Sequence, residues 1–177
     1  TGLNTKIYGL IQFNKSKLAA IRHVITPNLS FSYKPDFSEE KYGYYKSVQN
    51  DTLGGFQEYS IMQNGIFGAP SKGKNGNINF SLGNILEMKV RNNKDTVETL
   101  KKIKLLESLN ISSSYNIFKD SLNLSQINLN ARTRLLNIFD ITFSSRYDPY
   151  ITNKAMTNHI NQFEINTNNR LARLTSL

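Results

Sequence analysis

The segment from Asn77 to Arg91 alternates with period two over a length that few folds can use. Ile78, Phe80, Leu82, Leu86, Met88 and Val90 share one parity, interrupted only by Asn84. Asn79, Ser81, Gly83, Ile85, Glu87, Lys89 and Arg91 share the other. Successive side chains of a β-strand point to opposite faces, so the spacing predicts a strand with one apolar and one mostly polar face. Strands of soluble sheets usually run about five or six residues. A strand that crosses a membrane needs about 9–11 alternating residues.

The same grammar recurs. Leu29, Phe31 and Tyr33 alternate with Asn28, Ser30, Ser32 and Lys34; Leu109, Ile111, Tyr115 and Ile117 alternate with Asn110, Ser112, Ser114 and Asn116. Ile127, Leu129, Ala131 and Leu135 alternate with Asn128, Asn130, Arg132 and Arg134, and Ile141, Phe143 and Tyr147 with Thr142, Ser144 and Arg146. Weaker alternation covers residues 6–13, 57–62 and 161–167. The pattern predicts an all-β antiparallel meander of about eight long strands. No helix of note is expected, residues 15–21 having room for barely a turn or two.

Phe118-Lys119-Asp120-Ser121 and residues 136–140 read as tight turns, like the periplasmic turns of membrane barrels, whereas residues 35–56 and 63–75 are longer and rich in Gly, Pro, Tyr and charge. Outer-membrane barrels combine short turns with long loops in this way, and soluble domains rarely carry several long structureless loops. No linker or composition shift marks a domain boundary.

Composition narrows what such strands can build. Hydrophobic residues are 38%, against roughly 45–50% in soluble domains (a figure that also counts Gly), yet aromatics reach 11%. That balance suits a sheet with one apolar face, one polar face and aromatic girdles at its rims. The absence of Cys removes disulfides, thiol nucleophiles and Cys-based metal sites. No apolar run approaches the roughly 18 residues of a membrane helix, which leaves barrel strands open. Thr1-Gly2-Leu3-Asn4 has neither an initiator Met nor a signal-peptide core, so a processed chain or an internal fragment is expected. The net charge of +9 suggests anionic partners: nucleic acid, phospholipid or lipopolysaccharide. The cations are scattered, however, and the one tight group is Lys101-Lys102-Lys104, so solvated loops and a polar face account for most of them.

Motifs for catalysis are missing from the sequence. His23 and His159 are too isolated for a metal site; His23 is expected to hydrogen-bond a loop, and His159 to be exposed and inert. No G-x-S-x-G elbow or triad accompanies the many serines. Gly54-Gly55 and Gly73-Lys74-Asn75-Gly76 lack the following helix that phosphate binding needs. Glu39-Glu40 reads as a solvated loop pair. The aromatic groups Tyr42-Gly43-Tyr44-Tyr45 and Tyr147-Asp148-Pro149-Tyr150 fit the level of lipid headgroups better than base stacking. Neither an enzyme, a cofactor, a metal nor a nucleic-acid partner is expected.

Several pieces, in order along most of the chain, carry a resemblance. They are Arg22-His23-Val24-Ile25-Thr26-Pro27, Leu29-Ser30-Phe31-Ser32-Tyr33 with Pro35-Asp36-Phe37, Phe67-Gly68-Ala69-Pro70, and the run from Ser81 to Arg91. Lys104-Leu105-Leu106, Ser114-Tyr115-Asn116, Asp120-Ser121-Leu122, Asp148-Pro149-Tyr150 and Arg173-Leu174-Thr175 follow. Together they resemble the LptD family of lipopolysaccharide-assembly proteins in its Bacteroidota-type form. The resemblance implies an outer-membrane barrel of many more strands, preceded by a periplasmic jelly roll. Residues 1–177 would then be a partial barrel domain, without the jelly roll and the remaining strands. It also implies lipopolysaccharide and outer-membrane lipids as partners, with an LptE-like plug lipoprotein and a periplasmic Lpt bridge engaged through the full-length protein. The jelly-roll-to-barrel disulfides of better-known members have no counterpart in this Cys-free stretch.

On that implication, Lys89, Arg91, Arg132, Arg134 and Arg146 are expected to face the lumen and hold anionic groups of the substrate through charge-assisted hydrogen bonds. The competing expectation is that they pair with carboxylates such as Glu87 across the wall. Phe31, Phe80, Leu82, Met88, Ile111, Leu129 and Phe143 are expected to face lipid. A porin or nutrient transporter would share every alternating feature. A soluble antiparallel β-sandwich that binds glycan or nucleic acid would instead need a closed two-sheet core.

Overall fold

The computed structural model describes residues 1–14, 16–91, 100–135, 138–153, 155 and 157–177, so the start of the turn expected at 136–140 lies outside them. Strands form where the alternation places them. β1 (Gly2–Asn4), β2 (Ile7–Gln12) and β3 (Leu18–Lys34) come first, then a small hairpin of β4 (Tyr45–Gln49) and β5 (Phe56–Ser60). β6 (Asn75–Arg91), β7 (Leu100–Asn116), β8 (Ile127–Leu135) and β9 (Phe139–Asp148) follow. β10 (Tyr150–Thr152), β11 (His159–Phe163), the one-turn helix α1 (Glu164–Asn168) and β12 (Arg173–Ser176) close the order. Residues 57–62 thus supply a loop hairpin strand, and 161–167 divide between β11 and α1.

Eight strands make one antiparallel sheet in the order β1–β3–β6–β7–β8–β9–β12, with β2 beside β1 on the same edge of β3. This is the expected all-β meander. β3, β6 and β7 have 17 residues each, about three times the usual strand length. β1 and β2 run as one line broken at Pro27. The Thr5 N–H donates to the Pro27 carbonyl at 3.3 Å, but the Pro27 ring nitrogen has no hydrogen to return. The ladder lapses there and resumes at Ile7 opposite Ile25.

β7 carries two register shifts, opposite Asn84–Leu86 and Leu86–Glu87. Each places an extra residue in the strand and increases its local twist. Past them β7 and β8 are paired only from Ser108 to Ser112, and the Thr133 hydroxyl donates to the Leu105 carbonyl at 2.8 Å.

The registers sort the connections onto two ends. Those joining β2 to β3, β6 to β7 and β8 to β9 share one end. Residues 35–74, 117–126 and 149–172 share the other, so the long connections are all on one side, as in outer-membrane barrels. The Phe118–Ser121 turn belongs to this long-loop end, not with the short turns it was expected to join. The Asn116 side chain accepts from the Phe118 N–H at 2.9 Å and bends the chain back. The Phe118 ring then lies over Gly76, where a Cβ would meet it at 2.8 Å, so any larger residue would push the Phe118 and Ile117 side chains aside. The ring also packs on Tyr33, centroids 5.8 Å apart.

Among the described residues no second sheet covers this one; the remaining strands form the two-stranded pairs β4–β5 and β10–β11. Among the described residues the buried apolar side chains are just Val24 and Tyr150. A soluble sandwich buries the apolar face of one sheet on another. Here Leu29, Phe31, Phe80, Leu82, Ile141 and Phe143 remain exposed.

The long connection after β3 is closed at its base by a polar clip. One Asp36 carboxylate oxygen accepts from the Ser38 hydroxyl at 2.6 Å, the Ser38 N–H at 2.9 Å and the Gly73 N–H at 2.9 Å. Gly73 has φ +78°, a conformation that side chains with a Cβ disfavour. The Ser38 hydroxyl first, then the two N–H groups and the Lys34 charge, hold the Asp36 carboxyl at about 2, below its ordinary 3.8. A depressed carboxylate stabilises its fold fully above the unfolded value and loses that contribution as pH falls through the folded one. Hydrogen-exchange protection of the Ser38 and Gly73 amides is therefore expected to persist at pH 5 and to disappear between pH 3.8 and about 2. Asp36→Ala removes it at every pH; protection that ignores both changes would exclude the clip.

Candidate functional site: the two faces of the wall

Cross-strand partners share a face, so the register assigns every strand residue to one side. Pro27, Leu82, Ile111, Leu129 and Ser145 form one row across the sheet. Leu29 and Phe80 lie in the row toward the long loops, and Phe31, Ile78 and Tyr115 in the next. On the other side come Ile25, Asn84, Leu109, Ala131 and Phe143, then Ile21, Met88 and Ile103 further on. Phe31, Phe80, Leu82, Met88, Ile111, Leu129 and Phe143 thus share one continuous apolar face. Tyr33, Tyr115, Phe118 and Tyr147 gather toward its long-loop rim.

Besides Ser113 and Ser145, the polar residues His23 and Asn84 interrupt this face. His23 Nε2 lies 3.1 Å from Asn84 Oδ1, a hydrogen bond across the two strands. The expected loop contact of His23 is therefore corrected: its parity points it away from the loops and onto the neighbouring strand. No regularity within either segment pairs these residues; only the β3–β6 register does.

The opposite face carries Asn28, Ser81, Ser112, Asn128 and Arg146 in one row, and Thr26, Gly83, Asn110, Asn130 and Ser144 in the next. Toward the short turns it becomes strongly charged. Glu87, with its side chain only 8% exposed, takes Arg22 on one oxygen and Lys102 on the other at 2.8 Å. Arg134 grips Asp140 with both ends of its fork, at 2.8 and 3.2 Å. Arg132 lies 3.6 Å from Asp140 and 3.9 Å from Glu107.

The five expected anion contacts therefore divide. All five lie on the polar face, but Arg132 and Arg134 are engaged by carboxylates. Arg91 is turned to the backbone, donating to the carbonyls of Ser16 and Phe13, the latter at 2.8 Å, and so fastens the β2–β3 turn. Lys89 and Arg146 have no ion-pair partner among the described residues. Lys89 also stands directly opposite Lys102. Arg22, Lys102 and Lys104 complete the charged area. The place of the two lysines was hidden in the sequence because the two bulges in β7 decide which of its residues meet Glu87.

At the long-loop end the buried Asp148 gathers three partners. It accepts from the Tyr150 N–H at 3.0 Å, contacts His159 Nε2, and has Arg173 at 3.7 Å. His159, expected to be inert, is thus a structural ligand of a carboxylate that the β10–β11 hairpin brings back to it. Tyr150 stacks on Phe163 at 4.9 Å. In the other loop Phe37 packs edge-on against Tyr42 and Tyr44, and Lys72 lies over the Tyr45 ring at 4.7 Å. These rings face each other and their own lysines. Glu39 is lowered by its hydrogen bond to Lys41, with Lys74 also near, so it is a paired loop carboxylate. Among the described residues no three His, Asp or Glu side chains meet as metal ligands.

A one-layer sheet with an apolar face, a cation-bearing face and all its long loops at one end has the form of a barrel wall. The sequence model of the LptD protein family matches residues 1–150. The chain belongs to the LptD family. LptD proteins are components of lipopolysaccharide transport and assembly, not an enzyme family. The match covers both faces of the sheet and ends at Tyr150, close to the buried Asp148. No curated protein and no solved structure matches the chain.

Proposed function

We propose that this chain forms part of the wall of an outer-membrane LptD translocon that inserts lipopolysaccharide into the outer leaflet. The observation that carries this reading is the uncovered sheet of long strands, apolar on one side and cationic on the other, in a chain of that family. Its dimensions support it. The apolar stripe from Ile78 to Val90 spans about 40 Å along the strand. At the strand tilt of barrels, about 35–45°, this becomes about 28–33 Å of height, close to the roughly 30 Å hydrocarbon core. Phe31, Phe80, Leu82, Met88, Ile111, Leu129 and Phe143 then meet lipid, and the polar face meets the aqueous lumen. There Lys89 and Arg146 are the cations of the expected set left to contact phosphates and acidic sugars, while Arg91, Arg132 and Arg134 hold the wall together. A plug lipoprotein would occupy the lumen, and a periplasmic bridge would deliver substrate through the rest of the protein.

Depletion of the full-length protein is the test. Surface lipopolysaccharide is expected to fall, with precursor accumulating in the inner membrane or periplasm. Arg146→Glu is expected to slow export, whereas Arg146→Lys preserves it. Normal surface lipopolysaccharide with impaired uptake of a solute would overturn the export reading and assign the wall to a porin or transporter.

A further inference from the structure

The polar face is not uniformly polar. Tyr8, Val24 and Ile85 face one another across β2, β3 and β6 in a single row, and Leu10 stands in the next row beside Arg22 and Glu87. Tyr8 is 63%, Leu10 58% and Ile85 37% exposed, so this apolar strip is open on either side of the buried Val24. Beside it, toward the short turns, lies a recess of about 1010 Å³ bordered by Leu10, Arg22, Glu87, Lys89 and Lys102. Lys89 faces Lys102 directly across the β6–β7 ladder. Like charges placed opposite one another are destabilising, and Glu87 is already shared between Lys102 and Arg22. The local charge therefore stays positive, beside a greasy strip, whereas the other charged group toward the short turns, Arg132 and Arg134, is matched by Asp140 and Glu107.

We propose that this recess is a binding site for a phosphorylated amphiphile. Lys89 and Lys102 hold the phosphate oxygens, each lysine giving charge-assisted hydrogen bonds. Arg22 borders the same space, and the chain nearest the headgroup lies along the exposed Leu10, Ile85 and Tyr8. An anion between the lysines relieves their repulsion, and an apolar group removes exposed surface that water would solvate poorly. The inference rests on the export reading and deepens it. It makes the short-turn side of the lumen face the place where the phosphorylated end of the substrate is held.

The test uses the full-length protein in detergent and three probes: bis-phosphorylated lipid A, the same lipid without phosphates, and inorganic phosphate. Lys89→Ala with Lys102→Ala is expected to weaken binding of the phosphorylated lipid at least tenfold and to leave the dephosphorylated lipid unchanged. Leu10→Asn is expected to weaken both lipids. Lys89→Arg with Lys102→Arg restores binding, and the heat-dependent mobility of the folded barrel on gels verifies that each variant is folded. Inorganic phosphate that displaces the lipid at equal concentration would overturn the amphiphile and leave a plain anion site. Equal binding by wild type and the double alanine variant, while depletion still abolishes surface lipopolysaccharide, would overturn the recess alone. Unchanged surface lipopolysaccharide on depletion would overturn the export reading beneath it.

Discussion

Arginine at Leu129 is expected to lower the stability of the folded barrel by about 2–4 kcal/mol, the cost of a cation on the lipid face near the bilayer midplane. Leu129 lies in the row of Leu82 and Ile111, with apolar rows on both sides. An arginine there has no counter-charge in lipid and must bend toward an interface to reach water. Phe80→Arg, one row toward the long loops, falls in the same range. Phe31 and Met88 lie nearer the two ends of the stripe, where the cost is expected to drop toward about 0–1 kcal/mol. Asn130→Arg is the internal control, since the neighbouring residue points to the opposite face; a surface change of that kind stays within about 0.5 kcal/mol. Denaturant unfolding of the full-length barrel in lipid vesicles measures all five. Equal losses at Leu129 and Asn130 would mean that the apolar face does not meet lipid.

Asp148→Ala is expected to cost about 2–4 kcal/mol, because it strips the partner from groups that stay buried. The Asp148 side chain is only 3% exposed, and Arg173, 26% exposed, would keep its charge beside it. The Tyr150 N–H, which now donates to Asp148 at 3.0 Å, would also lose its acceptor. Asp148→Asn keeps an oxygen for that N–H and is expected to recover part of the loss. His159→Gln costs less, since His159 is 42% exposed and water can replace it. Because β12 pairs with β9 next to this carboxylate, the damage should spread along that edge, visible as faster amide exchange in β12. An Asp148→Ala protein with unchanged stability and unchanged exchange would show that the loop cluster is ornamental.

Much of this architecture is readable before any coordinates, and the reason is parity. A strand's period of two is rigid enough that Ile78 to Val90 names its own face, and the same holds for Leu109 to Tyr115 and Ile127 to Ala131. What parity does not carry is register. Whether Lys102 or Lys104 meets Glu87 depends on the two bulges in β7. Their one local sign is the adjacent pair Leu105-Leu106, where two apolar neighbours cannot both keep the alternation. For that reason parity placed all five expected cations on one face without choosing between substrate contact and pairing across the wall: the partners of Arg91, Arg132 and Arg134 lie on other strands or turns. His159 escaped notice because Asp148 is distant along the chain and returns through a hairpin. The Phe118–Ser121 turn is tight, but tightness alone does not say to which end of the sheet a turn belongs.

The His23–Asn84 pair bears on how such a wall is assembled. Each residue has a polar group that hydrocarbon cannot satisfy, and each strand carries just one of them on its apolar face between Ile21 and Phe31 or Ile78 and Val90. A strand that entered the bilayer alone would drag an unpaired imidazole or amide across it, at a cost of several kcal/mol. Entering together, the two share a hydrogen bond. With lipid on that side, the pair adds to the backbone penalty that any unpaired strand meets in hydrocarbon, so β3 gains most from β6 as its partner, joined to it by 40 residues that are closed at Asp36. A polar blemish on a greasy surface thereby favours one strand pairing over any other.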